Sequence, residues 1–174
     1  MLSLRSLVTG AVALMATPIM ALTATQVTDS LKDLTAKSDA LVPPAQSIAD
    51  SVTVDVFVNV FAEVVVGSTD LVAQLEATAP ITVAAEVDLI IAAFVQLSVS
   101  LQVVLDILSV RVDIVADLVV LLQPVLSILG QEQTAINGIA AELIRIVDSR
   151  GAEIQAPADT LLLTLGDVIG LLGL

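Results

Sequence analysis

The chain contains no cysteine, histidine, tryptophan or tyrosine in 174 residues. Without cysteine there can be no disulfide, so packing alone must hold the fold together. The missing histidine and cysteine exclude histidine-assisted triads, thiol nucleophiles and imidazole metal sites. Phe57, Phe61 and Phe94 are the only aromatics, which leaves no obvious stacking platform for a sugar ring. Basic side chains are scarce too: six Lys and Arg stand against nineteen Asp and Glu. That balance argues against nucleic acid or an anionic bilayer as partner. Simple solubility for a greasy surface is its plainer meaning.

What is abundant is aliphatic. Hydrophobic residues make up 57%, where ordinary globular chains reach about 45–50% with glycine included. Some of this lies in the first residues. Arg5 is followed by an apolar stretch from Leu7 to Met20, and Ala21 ends a small-residue cleavage site. This is the pattern of a secretory signal peptide over residues 1–21. Residues 22–174 are then expected to form one domain in a secreted protein, extracellular or in a cell wall. In that part five basic residues (Lys32, Lys37, Arg111, Arg145, Arg150) face all nineteen acids, a formal charge of −14.

The stretch DVFVNVFAEVVVGSTD, Asp55 to Asp70, tests strand against helix. Its valines nearly alternate, as in a half-buried strand. But Asp55, Asn59 and Glu63 recur every four residues, and in a strand they would share a face with Phe57 and Phe61. Helix is the consistent reading, from about Val54 to Val66, with a pause at Gly67 and a continuation capped by Ser68, Thr69 or Asp70 up to Pro80. Before it, Val27, Leu31, Leu34 and Leu41 predict a helix that stops at Pro43-Pro44.

Ile81 to Gln123 holds neither glycine nor proline. Ser98, Gln102, Asp106, Ser109, Asp113 and Asp117 form a narrow polar stripe along it. One helix over this whole stretch would be too long for a compact domain, so a turn is expected within Val110 to Asp117. After Pro124 a helix or turn leads to Gly130. Ile136, Ile139, Leu143 and Ile146 predict a further helix closed by Ser149-Arg150-Gly151. Pro157 and Asp159 open a last one, carrying Leu162, Leu165, Ile169 and Leu172. The fold class is all-α: a single-domain bundle of five or six helices. Within residues 22–174 the longest charge-free run lies between Asp88 and Asp106, 17 residues, short of the roughly 20 a membrane span needs. No transmembrane span is expected.

Candidate chemistry is thin. Glu86 and Asp88 point apart on a helix and make a poor glycosidase pair. Asp113 and Asp117 share a face but lack the clustered oxygens of a calcium loop. No phosphate-binding loop occurs. No catalytic residue, metal or cofactor is therefore expected, and the chain is read as a non-enzyme. Amphipathicity remains. Each buried methylene contributes about 0.8 kcal/mol, so a fatty-acyl chain or polymer face can be held by area alone. Phe57 and Phe61, opposite the polar seam, form one candidate contact wall. Phe94, Leu97, Leu101, Leu105 and Leu108 form a second. For each, core packing is the competing role.

LTAKSDALVPPAQSI (Leu34 to Ile48), FVQLSVSLQVVLDIL (Phe94 to Leu108), QPVLSIL (Gln123 to Leu129) and INGIAAELIRIVDSR (Ile136 to Arg150) resemble, in this order, the fungal hydrophobic surface binding protein A family, which is related to cell-wall galactomannoproteins. The resemblance implies a secreted helical bundle that adsorbs to hydrophobic surfaces such as wax or polyester and helps recruit a secreted polyester hydrolase. It also implies that a fatty acid can lie between helices. No catalytic residues come with it. One departure stands out: relatives have a glycine-containing break before a basic residue, where this chain has Val110 before Arg111. A structural or self-associating cell-wall protein is the alternative function.

Overall fold

A computed structural model describes residues 21–173. Apart from Ala21, the expected leader lies outside the described residues. Seven α-helices and one 3-10 turn follow in order among them, with no strand: α1 (Ala24–Asp39), α2 (Val42–Gln46), α3 (Ser51–Glu76), α4 (Ala84–Val110), α5 (Val112–Asp117), α6 (Val119–Val147), the 3-10 turn Asp148–Arg150, and α7 (Ala152–Leu172). Five of the helices are long. They close into a ring in which α1 packs on α4, α4 on α7, α7 on α6, α6 on α3 and α3 back on α1. The short α2 bridges α3 and α4, and α5 lies against α6 and α7. A continuous aliphatic core fills the ring.

Local chemistry starts the helices that open cleanly. Thr23 caps α1 and Asp50 caps α3, each in a capping box, reciprocated by Gln26 and Thr53 respectively. Three arginines then tie the connections down. Arg145 donates from Nη2 to the carbonyls of Leu75 at 2.7 Å and Thr78 at 3.0 Å, satisfying the C-terminal end of α3. Arg111 Nη1 donates to the Ile48 carbonyl at 2.8 Å, and Arg150 bridges Asp88 and Glu153.

Several boundaries differ from those expected, for identifiable reasons. α3 does not pause at Gly67. It runs through that glycine, where a Cβ would stand only 2.8 Å from Leu34 Cδ2. Gly67 serves close approach of α1 to α3 and terminates nothing. α1 ends at Asp39, before the prolines; Pro43 and Pro44 instead begin α2, where a missing N–H is harmless. α6 is one helix through both Pro124 and Gly130. α7 opens at Ala152 with Pro157 inside it. Two-sided packing of α6 on α3 and α7 outweighs a glycine's cost of about 1 kcal/mol and a proline's of about 3 kcal/mol in these helices. The turn expected within Val110 to Asp117 is present at Arg111, which leaves helical geometry at φ −109° and ψ 9°. A second break follows at Leu118, φ −92° and ψ 65°. Asp148 takes the remaining special conformation, φ 47°, where α6 turns towards α7.

α4 is also longer than its charge-free run, because Asp88 and Asp106 both lie exposed within it. By length and composition α3 and α4 could each cross a membrane, but 56% of the apolar window of α4 and 33% of that of α3 is buried inside the bundle.

Candidate functional site

All seven residues expected to contact lipid or an apolar surface lie in the core. Phe57, Phe61, Phe94 and Leu97 are fully buried, as are Leu101, Leu105 and Leu108 to within 2%. Phe57 and Phe61 pack on one another with ring centroids 5.5 Å apart. Their spacing places them on one flank of α3 and of α4, and that flank faces inward, so they serve as core packing rather than as an exposed contact wall.

The outward flank of α4 mixes aliphatic with polar side chains. Val95, Val99, Val103 and Val110 follow one another at spacings of four, four and seven, all exposed, with Val110 at 85%, and the exposed Asp106 stands among them; Leu89 is exposed on the side of the helix next to α1. Val52, Val56 and Val66 are similarly exposed on α3. Isolated exposed aliphatics are ordinary; a row of four on one helix is the kind of patch that marks a contact surface.

Between α3 and α6 runs an open groove of about 590 Å³, walled by Val65, Thr69, Val72 and Ala73 on one side and by Gly130, Gln131, Thr134 and Ala135 on the other. Its size falls within the range of small-molecule sites, about 300–1,000 Å³. No basic side chain lines it, and Glu76 stands at its edge. A smaller groove of about 350 Å³ separates α1 from α4 and includes Lys32, Asp39 and Leu89.

One buried polar contact joins α3 to α6. Ser68 Oγ donates to Glu132 Oε1 at 3.1 Å. Ser68 is fully buried, Glu132 is 1% exposed, and Glu132 Oε2 has no partner. Loss of hydration pushes the Glu132 carboxyl up to about 7, and the serine hydrogen bond only partly offsets this. The pair bridges the same two helices at the same level as the groove: Val65, Thr69 and Val72 flank Ser68, and Gln131 and Ala135 flank Glu132. Neither Ser68 nor Glu132 lines the groove; the pair is buried between the two helices. Glu132 was not singled out from sequence, although a signal existed: Leu129, Glu132, Ile136, Ile139 and Leu143 hold one helical register, and a carboxylate occupies an apolar position in it.

Asp113 is exposed on α5, as is Asp117; among the described residues no three acidic side chains gather as metal ligands would. Glu86 and Asp88 lie on the first turns of α4, and Asp88 is taken up by Arg150.

Fold and site together define an all-α bundle with a greasy exterior and one buried, half-satisfied carboxyl. No family model matches the chain, and no curated protein does. Among solved structures it is similar to the crystal structure of AfMP4p in complex with palmitic acid, with a TM-score of 0.80 and 16% identity, over 86% of this chain and 99% of that one. At that identity the likeness establishes the shared fold.

Proposed function

We propose that this protein is a secreted, non-enzymatic module that binds lipids and apolar surfaces through aliphatic helix faces. The exposed Val95, Val99, Val103 and Val110 on α4 carry the reading. Fully burying one such side chain stabilises by about 1.5–3 kcal/mol, so four half-exposed ones contribute about 4 kcal/mol on contact with oil or polymer. The fold shared with a palmitic acid complex supports a fatty-acyl ligand in particular. Wax and polyester offer the same chemistry as extended surfaces. A secreted polyester hydrolase is the proposed partner on such a surface, with this protein as its non-catalytic companion.

Adsorption of residues 22–174 to polyester or alkane particles, beside native mass spectrometry for co-purified lipid, tests the proposal. Val99→Asp together with Val103→Asp should lower adsorption severalfold and leave the melting temperature almost unchanged. Absence of both adsorption and lipid would end the reading. The same row also supports a self-associating cell-wall protein. A charge of −14 opposes that reading, and a monomer by light scattering at high salt would dispose of it.

A further inference from the structure

We propose that copies of this chain join head to tail in concentrated solution, the Val95, Val99 and Val103 ridge of α4 in one copy seating in the α3–α6 groove of the next. This goes beyond the proposed function and does not depend on it, since adsorption to oil and contact between copies are separate events. Dimensions come first. The three valines stand four residues apart and exposed, so they form one ridge about 12 Å long at 1.5 Å per residue. The groove runs from Val65 to Glu76 on α3 and from Ser127 to Ala135 on α6, about 16 Å and about 12 Å on the same scale. A ridge spaced by four is the shape that packs between helices, and an apolar helix face laid in a groove is a common mode of recognition. The walls are low where it would enter. Ala73 and Gly130 carry little or no side chain, and nothing lies within 4 Å of where a Gly130 Cβ would stand.

Charge selects a second copy as the occupant. Residues 22–174 carry −14, yet α4 has no charged side chain between Asp88 and Asp106. Among the described residues that line the groove, only Glu76 is charged. At these two patches like copies meet with little local repulsion, whereas a cationic partner would be drawn to the acidic remainder of the surface. The ring then decides the form of the assembly. α4 packs between α1 and α7, while α3 and α6 close the far side. Ridge and groove therefore face opposite ways, and copies add in open chains instead of closing as a pair. Two helix widths of about 10 Å over about 16 Å give a footprint of about 300 Å², or about 600 Å² with surface relief. A stable interface takes about 800 Å² from each partner, so this contact is weak, and the net charge weakens it further. It shields the ridge in solution and yields it to a larger apolar surface.

Sedimentation velocity on residues 22–174, from about 10 µM to about 1 mM in about 0.5 M salt to screen the charge, tests this. The parent should pass from monomer through dimer to longer species, and less so at low salt. Val99→Asp and Thr134→Glu, both at exposed positions, should each raise the concentration needed about tenfold or more, with the melting temperature unchanged. Mixed in equal amounts, the two variants should form pairs and grow no further, because Val99→Asp keeps its groove and Thr134→Glu keeps its ridge. Should Val99→Asp melt early, Val103→Asp replaces it. The proposal is overturned if the parent stays monomeric, if it stops at a dimer, if Thr134→Glu associates like the parent, or if the mixture gives no pairs. Adsorption reads the proposed function separately. Thr134→Glu should coat alkane particles as the parent does, and loss of adsorption with chain growth intact would sink the proposed function alone.

Discussion

Two seams of the bundle each pair a serine with a carboxyl group and reach opposite results. Between α3 and α6, Ser68 holds Glu132; between α1 and α4, Ser100 holds Asp39. Asp39 sits exposed at the end of α1 and keeps its contact with water, while Glu132 lies mid-helix with none. The partner is alike, so burial makes the difference. A serine satisfies a wet carboxylate easily, but a dry one needs more than a single hydroxyl. The α1–α4 seam is ordinary stitching, and the α3–α6 seam holds a carboxyl with an oxygen to spare.

The largest expected effect breaks this contrast by pH. The folded-state value of Glu132, about 7, lies above the ordinary 4.5. Its contribution is therefore fully present below about pH 4.5 and is lost progressively as pH rises to about 7, close to 3 kcal/mol in all at about 1.4 kcal/mol per pH unit. Urea unfolding at several pH values should show that loss in the parent and not in Glu132→Gln, once the common drift from the other carboxylates is subtracted. A parent curve parallel to the variant's would refute the assignment.

Ser68→Ala comes next. It strips the one partner from a buried carboxyl and should cost about 2 kcal/mol of unfolding free energy. Gly130→Ala should act in the other direction, raising stability by about 0.5–1 kcal/mol, because the site is helical and empty and glycine is entropically costly there. Smallest is Ser100→Ala, at the wet seam, expected within about 0.5 kcal/mol. If Ser100→Ala cost as much as Ser68→Ala, burial would not be what separates the two seams.

Much of the architecture was legible beforehand because it depends on near neighbours. The four-residue recurrence of Asp55, Asn59 and Glu63 identified α3 as a helix, and chain length forced a break near Arg111 without any glycine to mark it. Errors fell where local signals met tertiary contacts. Gly67 resembled a helix end and is a crossing point with Leu34; Pro157 resembled a helix start and lies inside α7. Of the greasy flanks on α4, sequence identified the Phe94–Leu108 side as special. It could not tell which aliphatic side would be hidden, since valines and leucines occur all round that helix.

Composition and periodicity alone settled that this is an all-helical chain, with neither histidine nor cysteine for chemistry and more aliphatic flank than polar seam. Those properties follow from side-chain type and spacing within one or two turns. Which flank became core, which row stayed wet, and that Ser68 and Glu132, 64 positions apart in the chain, meet with an oxygen left over were decided by the folded bundle. Burial and pairing are properties of helices brought together, and no local pattern encodes which helix a side chain will face.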